Sequence, residues 1–415
     1  MNTKQQAPCF LSLRPVFNRD RDIYAHVAAY ACFGELGGPD AGMVGFSWLV
    51  SDGMKELEKL SGKGAKLFIP LPQEAVNLPE VGRLPWENTV LMVTLGAAHG
   101  EDFIEDCRAI KTSGYGLGLR FAGPPEDEPA LWDLADVIAL DFSSMTTAEL
   151  VLLRKRLREY PGLLMAANLK TWEAFSGAMD LGADLFQGPF FGRPEIVAGQ
   201  ELQAGLWSRM ELMRVLQTDD YTFKDVAAVL AKDAFLTYRL LRYVNSPSLG
   251  LGRGVKSIEH AVALLGFESF KLWATTALVA SLDASPKGEA LAYFSLLRGQ
   301  FLQTLAGQVQ GCPFEPKGMF LLGLFSHLDA LMGRPMRTLL TGIPMDRSMQ
   351  EALCGKKNPA QPWLELLDAV DENNWDQVGG FFTARGVSLA LAARAYLDAS
   401  RWARVCFDAG REDPM

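Results

Sequence analysis

The sequence predicts an α/β region in the first half of the chain and an all-helical region in the second half. From about residue 66, short apolar runs alternate with amphipathic stretches, with roughly 20–25 residues per unit. After Pro194, runs of strand type essentially disappear and helical patterns follow one another. Continuous apolar strands separated by helices are typical of a parallel sheet covered on both faces. A closed barrel and an open doubly wound sheet both fit this pattern.

Five apolar runs in the first half are predicted to be buried strands. They are residues 66–71, 89–95, 115–120, 137–142 and 163–168. Two amphipathic stretches, residues 149–159 and 171–181, predict helices. The second of these ends before Gly182, a residue type that commonly terminates helices.

Composition narrows the class of protein. The chain has 415 residues, 49% of them hydrophobic, and a net charge of -9. This length predicts two or three domains with real cores, and the acidity disfavours nucleic acid and anionic lipid as partners. No apolar run reaches the ~20 residues of a membrane span and no signal peptide is evident, so we expect a soluble, cytoplasmic protein. Six scattered cysteines without a C-x-x-C pair predict reduced thiols and neither a disulfide framework nor a zinc site.

Polar residues at the ends of the predicted strands are the candidates for function. In a barrel, chemistry lies where parallel strands end. The candidates for ligand binding are Arg120, Asp141, Lys170 and Gln187. A magnesium site would need several converging carboxylates, and too few acids lie here, so we predict neither a metal nor a cofactor. The two cations predict either a pocket for an anionic ligand or surface charges paired with Asp141 or Asp184.

Two strings in the first half resemble EAL domains, the cyclic di-GMP phosphodiesterases, in the version fused to an HDOD domain. The string Leu13-Arg-Pro-Val-Phe-Asn-Arg-Asp20 is similar to the start of that family, and residues 182–194, which contain Phe186-Gln-Gly-Pro-Phe190, are similar to its end. The resemblance covers about residues 8–198. It implies a barrel and not an open sheet.

The same resemblance implies that most metal ligands of this family have been replaced. Relatives place acids, amides or a lysine at positions that here are Val27, Pro70, Arg120, Phe121, Ala139 and Lys170. Only Asp141 and Gln187 remain. Hydrolysis in the family resembles two-metal phosphodiester chemistry, so we expect this domain to be enzymatically inactive.

Helical patterns fill the second half of the chain. Predicted helices begin near Thr222 and Asp233 and continue at residues 257–265, 267–282, 286–310, 316–332, 348–355, 362–370 and 386–407. Short connections between helices indicate a compact bundle.

Residues 232–246 and 257–266 are similar to the HDOD signature, and this resemblance covers about residues 199–405. HDOD domains resemble HD-type metal phosphohydrolases in fold but lack their metal ligands. Here Ser326 and His327 stand where the relatives keep the His-Asp doublet. We therefore predict no metal in this half.

The candidates for a protein-contact surface are Asn245, Leu249, Leu251 and His327. Asn245 has a structural explanation as well, because it ends a predicted helix before Pro247. His327 has one too, since a lone histidine on a helix is commonly a hydrogen-bonded structural residue.

The resulting hypothesis is a bacterial-type signalling protein with two domains, residues 1–198 and 199–415. It would act through contacts with other signalling proteins, without catalysis. A sensor that binds cyclic di-GMP or another anion without hydrolysing it is the first alternative, and an active phosphodiesterase is the second. The sequence names no partner.

Overall fold

The protein is described here from a computed structural model. The structure describes residues 9–32, 41–61, 64–95, 101–121, 129–142, 144–157, 160–195, 258–279, 281–341 and 343–408, with the isolated positions 213, 216, 240 and 244. The chain forms two compact units. The first comprises Met1–Arg193 and Asp368–Ser400, and the second Pro194–Leu367 and Arg401–Met415.

The first unit is built on a closed barrel of eight strands in sequence order. The strands are β1 (Cys9–Phe17), β2 (Ile23–Cys32), β3 (Leu67–Leu71), β4 (Thr89–Thr94), β5 (Gly116–Phe121), β6 (Val137–Asp141), β7 (Leu163–Ala167) and β8 (Leu185–Gln187). Strands β2 to β8 pair in parallel, whereas β1 is antiparallel to both of its neighbours, β2 and β8. The closed sheet confirms the predicted barrel and excludes the open doubly wound alternative.

Side chains of the barrel strands divide between two cores, because successive residues of a strand point to opposite faces. Inside the barrel lie Val16, Ala25, Phe68, Val90, Met92, Val137, Ala139, Met165 and Leu185. Residues in between, such as Ile69, Leu91 and Leu117, face the surrounding helices. Burial on both faces explains why these strands are continuous apolar runs in the sequence.

Strands β1 and β2 form an antiparallel hairpin that the sequence analysis did not predict. Its turn is closed by the backbone N–H of Asp22, which donates to Asn18 Oδ1 at 2.8 Å, and Arg21 adopts a left-handed conformation with φ of 67°. The register places Cys9 directly opposite Cys32, and the two form a disulfide. The prediction of six reduced cysteines is therefore wrong for this pair, because strand register and not spacing along the chain brings the two sulfurs together.

Helices cover the outside of the barrel. They are α1 (Ala41–Trp48), α2 (Met54–Ser61), α3 (Glu101–Thr112), α4 (Pro129–Trp132), α5 (Thr147–Arg156) and α6 (Trp172–Asp180). Helix α5 begins with a capping box between Thr146 and Glu149, and the Thr171 hydroxyl caps α6. Helix α6 lies within the predicted stretch 171–181, whereas α5 begins two residues before the predicted stretch 149–159 and ends within it.

The remaining helices follow in chain order. They are α7 (Ile258–Leu265), α8 (Phe267–Val279), α9 (Pro286–Ala306), α10 (Pro316–Phe325), α11 (Leu328–Met332), α12 (Met336–Leu340), α13 (Arg347–Leu353), α14 (Gln361–Asp371), α15 (Trp375–Thr383) and α16 (Leu389–Asp408). The part of the second unit that the structure describes contains helices and no strand. This confirms the prediction of a helical region after the barrel.

Residues 368–400 return to the barrel and belong to the first unit. Phe10 of β1 has its ring centroid 5.5 Å from that of Trp375 and 5.4 Å from that of Tyr396. The predicted domain division at residue 198 stays a prediction. The contacts add that this late segment, assigned by its pattern to the helical half, covers the first strand.

Among the described residues, no helix has both the length and the apolar character needed to span a bilayer. The expected cytoplasmic location stays a prediction.

Candidate functional site

A cavity of about 380 Å³ opens at the end of the barrel where the parallel strands finish. Strands β1 to β5, β7 and β8 all contribute lining residues, and residues 373 and 375 add to them. Its polar lining consists of Arg14, Tyr30, Thr94, Arg120, Asn168, Gln187 and Asn373. Its apolar lining includes Val27, Pro70, Pro72, Met92, Met165 and Trp375. The described lining residues thus include two cations and no carboxylate.

Arg120 lies near the end of β5 and lines the cavity. Its neighbours Leu117 and Leu119 pack in the core outside the barrel, so Gly118 and Arg120 point to the inside. Within the described ranges, no hydrogen bond or ion pair engages the Arg120 guanidinium. Arg120 therefore presents a positive charge to the cavity that no described residue compensates.

Arg14 is the second cation of the cavity, and its side chain is already engaged. Its Nη1 donates to Asp371 Oδ1 at 3.0 Å, and its Nη2 donates to the backbone oxygen of Val370. The side chains of Arg14 and Asp371 are only 7% and 11% exposed. Low exposure raises both the strength of such a pair and the cost of breaking it.

Asp141, Asn168 and Gln187 form a chain of hydrogen bonds beside the cavity. Asn168 Nδ2 donates to Asp141 Oδ2, and the backbone N–H of Asn168 donates to Gln187 Oε1 at 3.4 Å. Asn168 has a left-handed φ of 56°, which asparagine tolerates better than most residues. Gln187 and Asn168 line the cavity, whereas Asp141 contacts it through Asn168.

Lys170 is exposed and does not belong to the lining. Its Nζ lies 3.0 Å from Glu372 Oε2. The partners expected from the sequence, Asp141 and Asp184, are engaged elsewhere: Asp184 Oδ2 accepts from the backbone N–H of Leu164 at 3.0 Å. The structure thus brings Arg120 and Gln187 together in one cavity and leaves Lys170 outside it. Their role in binding stays a prediction.

The tyrosine of the lining is a neutral hydrogen-bonding group. Tyr30 Oη donates to the backbone oxygen of Pro70 at 2.6 Å. Burial raises the pKa of the Tyr30 hydroxyl, because the charged phenolate is poorly solvated there. The Tyr30 hydroxyl therefore stays neutral and acts as a hydrogen-bond donor.

The two-metal centre implied by the EAL resemblance does not fit these residues. Across the described part of the chain, no three His, Cys, Asp or Glu side chains lie close enough to share a metal ion. The guanidinium, amide and carboxylate groups at the mouth are two guanidiniums, three amides and the Asp141 carboxylate. Divalent magnesium or manganese takes several oxygen ligands, so this set could not hold two of them.

The candidates in the helical half fare differently. Asn245, Leu249 and Leu251 lie outside the described residues. His327 directly precedes α11 and is only 6% exposed. The prediction that it contacts a partner at the surface is therefore wrong, because its side chain is buried. Beside it, Arg298 Nη1 donates to Ser326 Oγ at 3.0 Å.

One protein-family model matches part of the second half of the chain. The model of the HDOD domain matches residues 208–333. The chain contains an HDOD domain. This confirms the HDOD part of the predicted resemblance.

Two curated proteins are similar to the chain over most of its length. The uncharacterized protein YuxH of Bacillus subtilis is 27% identical over 96% of this chain and 99% of its own. The cyclic di-GMP phosphodiesterase CdgJ of Vibrio cholerae is 27% identical over 82% of this chain and 79% of its own.

Among solved structures, the chain is similar to the EAL enzyme Bd1971 in its form bound to cAMP and cyclic di-GMP. The sequence identity is 14% and the TM-score is 0.36, over 45% of this chain and 62% of that one. The chain thus spans less than two thirds of that enzyme.

The expectation that the protein is not an enzyme is contradicted. A relative named as a cyclic di-GMP phosphodiesterase is 27% identical over 82% of this chain. That expectation came from the missing ligands of a single motif. Loss of those ligands does not decide the question against a similarity that extends over most of both chains.

Several residues of the cavity were missed by sequence reasoning, among them an arginine and a tyrosine from early in the chain and two residues from late in the chain. Arg14 and Tyr30 belong to the unpredicted hairpin, and Asn373 and Trp375 come from the far end of the chain. Asn168 was visible as a polar residue at a strand end. For Asn373 and Trp375 no signal in the sequence points to the barrel.

Proposed function

We propose that the protein acts in cyclic di-GMP signalling and that the mouth of its barrel binds a cyclic dinucleotide. The observation that carries the proposal is the guanidinium of Arg120, which no described residue engages, inside a cavity of about 380 Å³. A second arginine lines the same cavity, and the described lining has no carboxylate to repel a phosphate. Guanidinium groups pair with phosphate through two parallel hydrogen bonds.

The other lining residues suit the rest of a nucleotide. Trp375 and Tyr30 offer aromatic rings on which bases can stack. Asn168 and Gln187 carry amides, which both donate and accept hydrogen bonds and so match the edges of bases. Met92 and Met165 contribute flexible, polarizable apolar side chains to the lining. The size of the cavity falls within the usual range for small-molecule sites.

Calorimetry on the full chain tests the proposal. Cyclic di-GMP should bind the wild type, and Arg120→Ala should weaken binding by ~10-fold or more, the usual loss for one charge-assisted contact. Arg120→Lys keeps the charge but loses the two-pronged geometry, so an intermediate affinity is expected. Arg394→Ala, at a side chain that is 87% exposed on α16, is the control and should bind like the wild type.

Chromatography of the same samples, with magnesium or manganese added, reports any linear dinucleotide released and so measures turnover separately from binding. Equal heats from wild type and Arg120→Ala would remove Arg120 from the proposal. No heat from any variant would remove the ligand class.

The contact with other signalling proteins, expected from the sequence, belongs to this proposal as the output of the HDOD domain. Affinity capture from the native cell with the full chain, with and without added cyclic di-GMP, tests it. A partner whose recovery depends on the dinucleotide supports this output, and equal recovery under both conditions argues against it.

A further inference from the structure

Residues 371–375 connect α14 to α15 and lie against the mouth of the barrel, although they are distant from the barrel strands in sequence. We call them the 371–375 segment. Local hydrogen bonds shape it: the backbone N–H of Asn374 donates to the oxygen of Ala369 at 2.8 Å, and Asn374 Oδ1 accepts from the N–H of Gln377 at 3.2 Å. Asn373 turns the chain with a left-handed φ of 57°. The segment is therefore a defined turn with two acidic residues at its start.

Asp371, the first acidic residue of the segment, forms an ion pair with Arg14, one of the two cations that line the cavity. Asp371 Oδ1 lies 3.0 Å from Arg14 Nη1, and the pair is almost fully buried. A phosphate could bind Arg14 only by displacing the Asp371 carboxylate from it.

The second acidic residue occupies a cation on the rim. Glu372 Oε2 lies 3.0 Å from Lys170 Nζ, with side chains that are 25% and 57% exposed. Lys170 follows β7 by three residues, at the same end of the barrel as Asn168. The rim cation is thus shielded by the same short segment.

The segment also supplies part of the cavity wall. Asn373 and Trp375 line the cavity alongside Arg120. Asp371 and Glu372 thus pair with Arg14 and Lys170. The residues that follow them, Asn373 and Trp375, form part of the wall of the cavity that Arg120 also lines.

We propose that the 371–375 segment is an internal competitor for the ligand site: Asp371 and Glu372 hold the cations that anionic groups of the ligand would otherwise take. This inference rests on the proposed function of the cavity. The ligand it favours carries two anionic groups, because one would replace Asp371 at Arg14 and another would replace Glu372 at Lys170. Binding would then release the segment from the mouth of the barrel.

Calorimetric titration of cyclic di-GMP into the full chain tests the proposal with neutral variants of the two acids. Glu372→Gln should tighten binding several-fold, and Asp371→Asn with Glu372→Gln ~10-fold, because the competing charge is gone. Asp376→Asn is the matched control: it removes the same charge from the exposed start of α15, where no ion pair is found among the described residues. Its affinity should equal that of the wild type.

Arg120→Ala in the same series separates the two proposals. If the wild type binds, Arg120→Ala loses affinity and the acid variants bind like the wild type, the competitor is overturned and the ligand site stands. If only the acid variants bind, the competitor is supported, and the expectation that the wild type binds cyclic di-GMP is overturned. If none of the proteins binds, the ligand site itself is overturned, and the competitor with it.

The acid variants must be shown to fold before their affinities are compared. Asp371→Asn leaves Arg14 buried without its carboxylate, so this variant is checked by thermal unfolding. Glu372→Gln alters a half-exposed pair and should stay folded, so it decides the question alone if the double variant does not fold.

Hydrogen exchange at residues 371–375 should rise when cyclic di-GMP binds. Unchanged exchange on binding contradicts displacement of the segment.

Discussion

Arg14 and Asp371 form a buried ion pair at 3.0 Å, although 357 positions separate them in the sequence. The pair joins the first strand of the barrel to the end of α14, and the backbone oxygen of Val370 accepts a second hydrogen bond from the same guanidinium. It therefore fixes a late part of the chain against the barrel.

This pair predicts a characteristic double-mutant cycle. Arg14→Met alone should lower the free energy of unfolding by about 3–5 kcal/mol, because it leaves the Asp371 carboxylate buried without its partner. Arg14→Met combined with Asp371→Leu should recover much of that loss, since no charge remains buried. Urea unfolding followed by tryptophan fluorescence measures both. Strictly additive effects would contradict a direct pair.

The disulfide between Cys9 and Cys32 predicts the number of free thiols. Alkylation of the unfolded, unreduced protein should modify four cysteines, and six after reduction, as counted by mass spectrometry. Cys9→Ala should lower stability by about 3 kcal/mol, because the bond closes a loop of 23 residues in the unfolded chain. Cys354→Ala is the control and should change neither the loop nor the stability by a comparable amount. Six modified cysteines without reduction would exclude the bond.

Cys107 predicts a pH dependence of stability. Burial, and the nearby Asp106 to a lesser degree, raise the pKa of the Cys107 thiol from 9.0 to about 12. The folded state keeps this proton between pH 9 and pH 12 while the unfolded state loses it, so stability is full below pH 9 and falls as the pH rises towards 12.

The Cys107→Ala variant should show a smaller loss of melting temperature than the wild type between pH 8.5 and pH 10.5. Native alkylation at pH 8 should also leave Cys107 unmodified, because a buried neutral thiol is not a nucleophile. Rapid labelling of Cys107 in the native protein would contradict its burial.

Two glycines predict opposite effects of the same substitution. Gly188 has a φ of 148°, and an added Cβ would overlap the backbone of Leu169. Gly188→Ala should therefore cost at least about 3 kcal/mol, the scale of a severe backbone conflict. Gly177 lies inside α6 with nothing within 4 Å of an added Cβ, so Gly177→Ala should stabilise by about 1 kcal/mol. Thermal unfolding of the two variants measures both signs, and equal melting temperatures would contradict the packing at Gly188.

Strands β3 to β7 could be predicted from the sequence because each is largely buried and reads as one apolar run. Strand β2 escaped prediction because its buried positions are interrupted by half-buried ones such as His26 and Tyr30. The disulfide escaped because it depends on the register of that hairpin.

The candidate site was predicted in part for a similar reason. Arg120 and Gln187 could be found because parallel strands bring their ends together. Arg14 could not, since β1 runs in the opposite direction and contributes from its middle. Asn373 and Trp375 depend on a contact across most of the chain, which no local pattern encodes.

The return of residues 368–400 to the barrel has a consequence during synthesis. Phe10 and Arg14 leave the ribosome early, but Tyr396 and Asp371, which cover them, are made more than 350 residues later. At bacterial or eukaryotic elongation rates this interval lasts roughly 20–70 s. Phe10 and Arg14 of the first strand are therefore made long before Tyr396 and Asp371, and the whole helical half is translated before these covering residues are available.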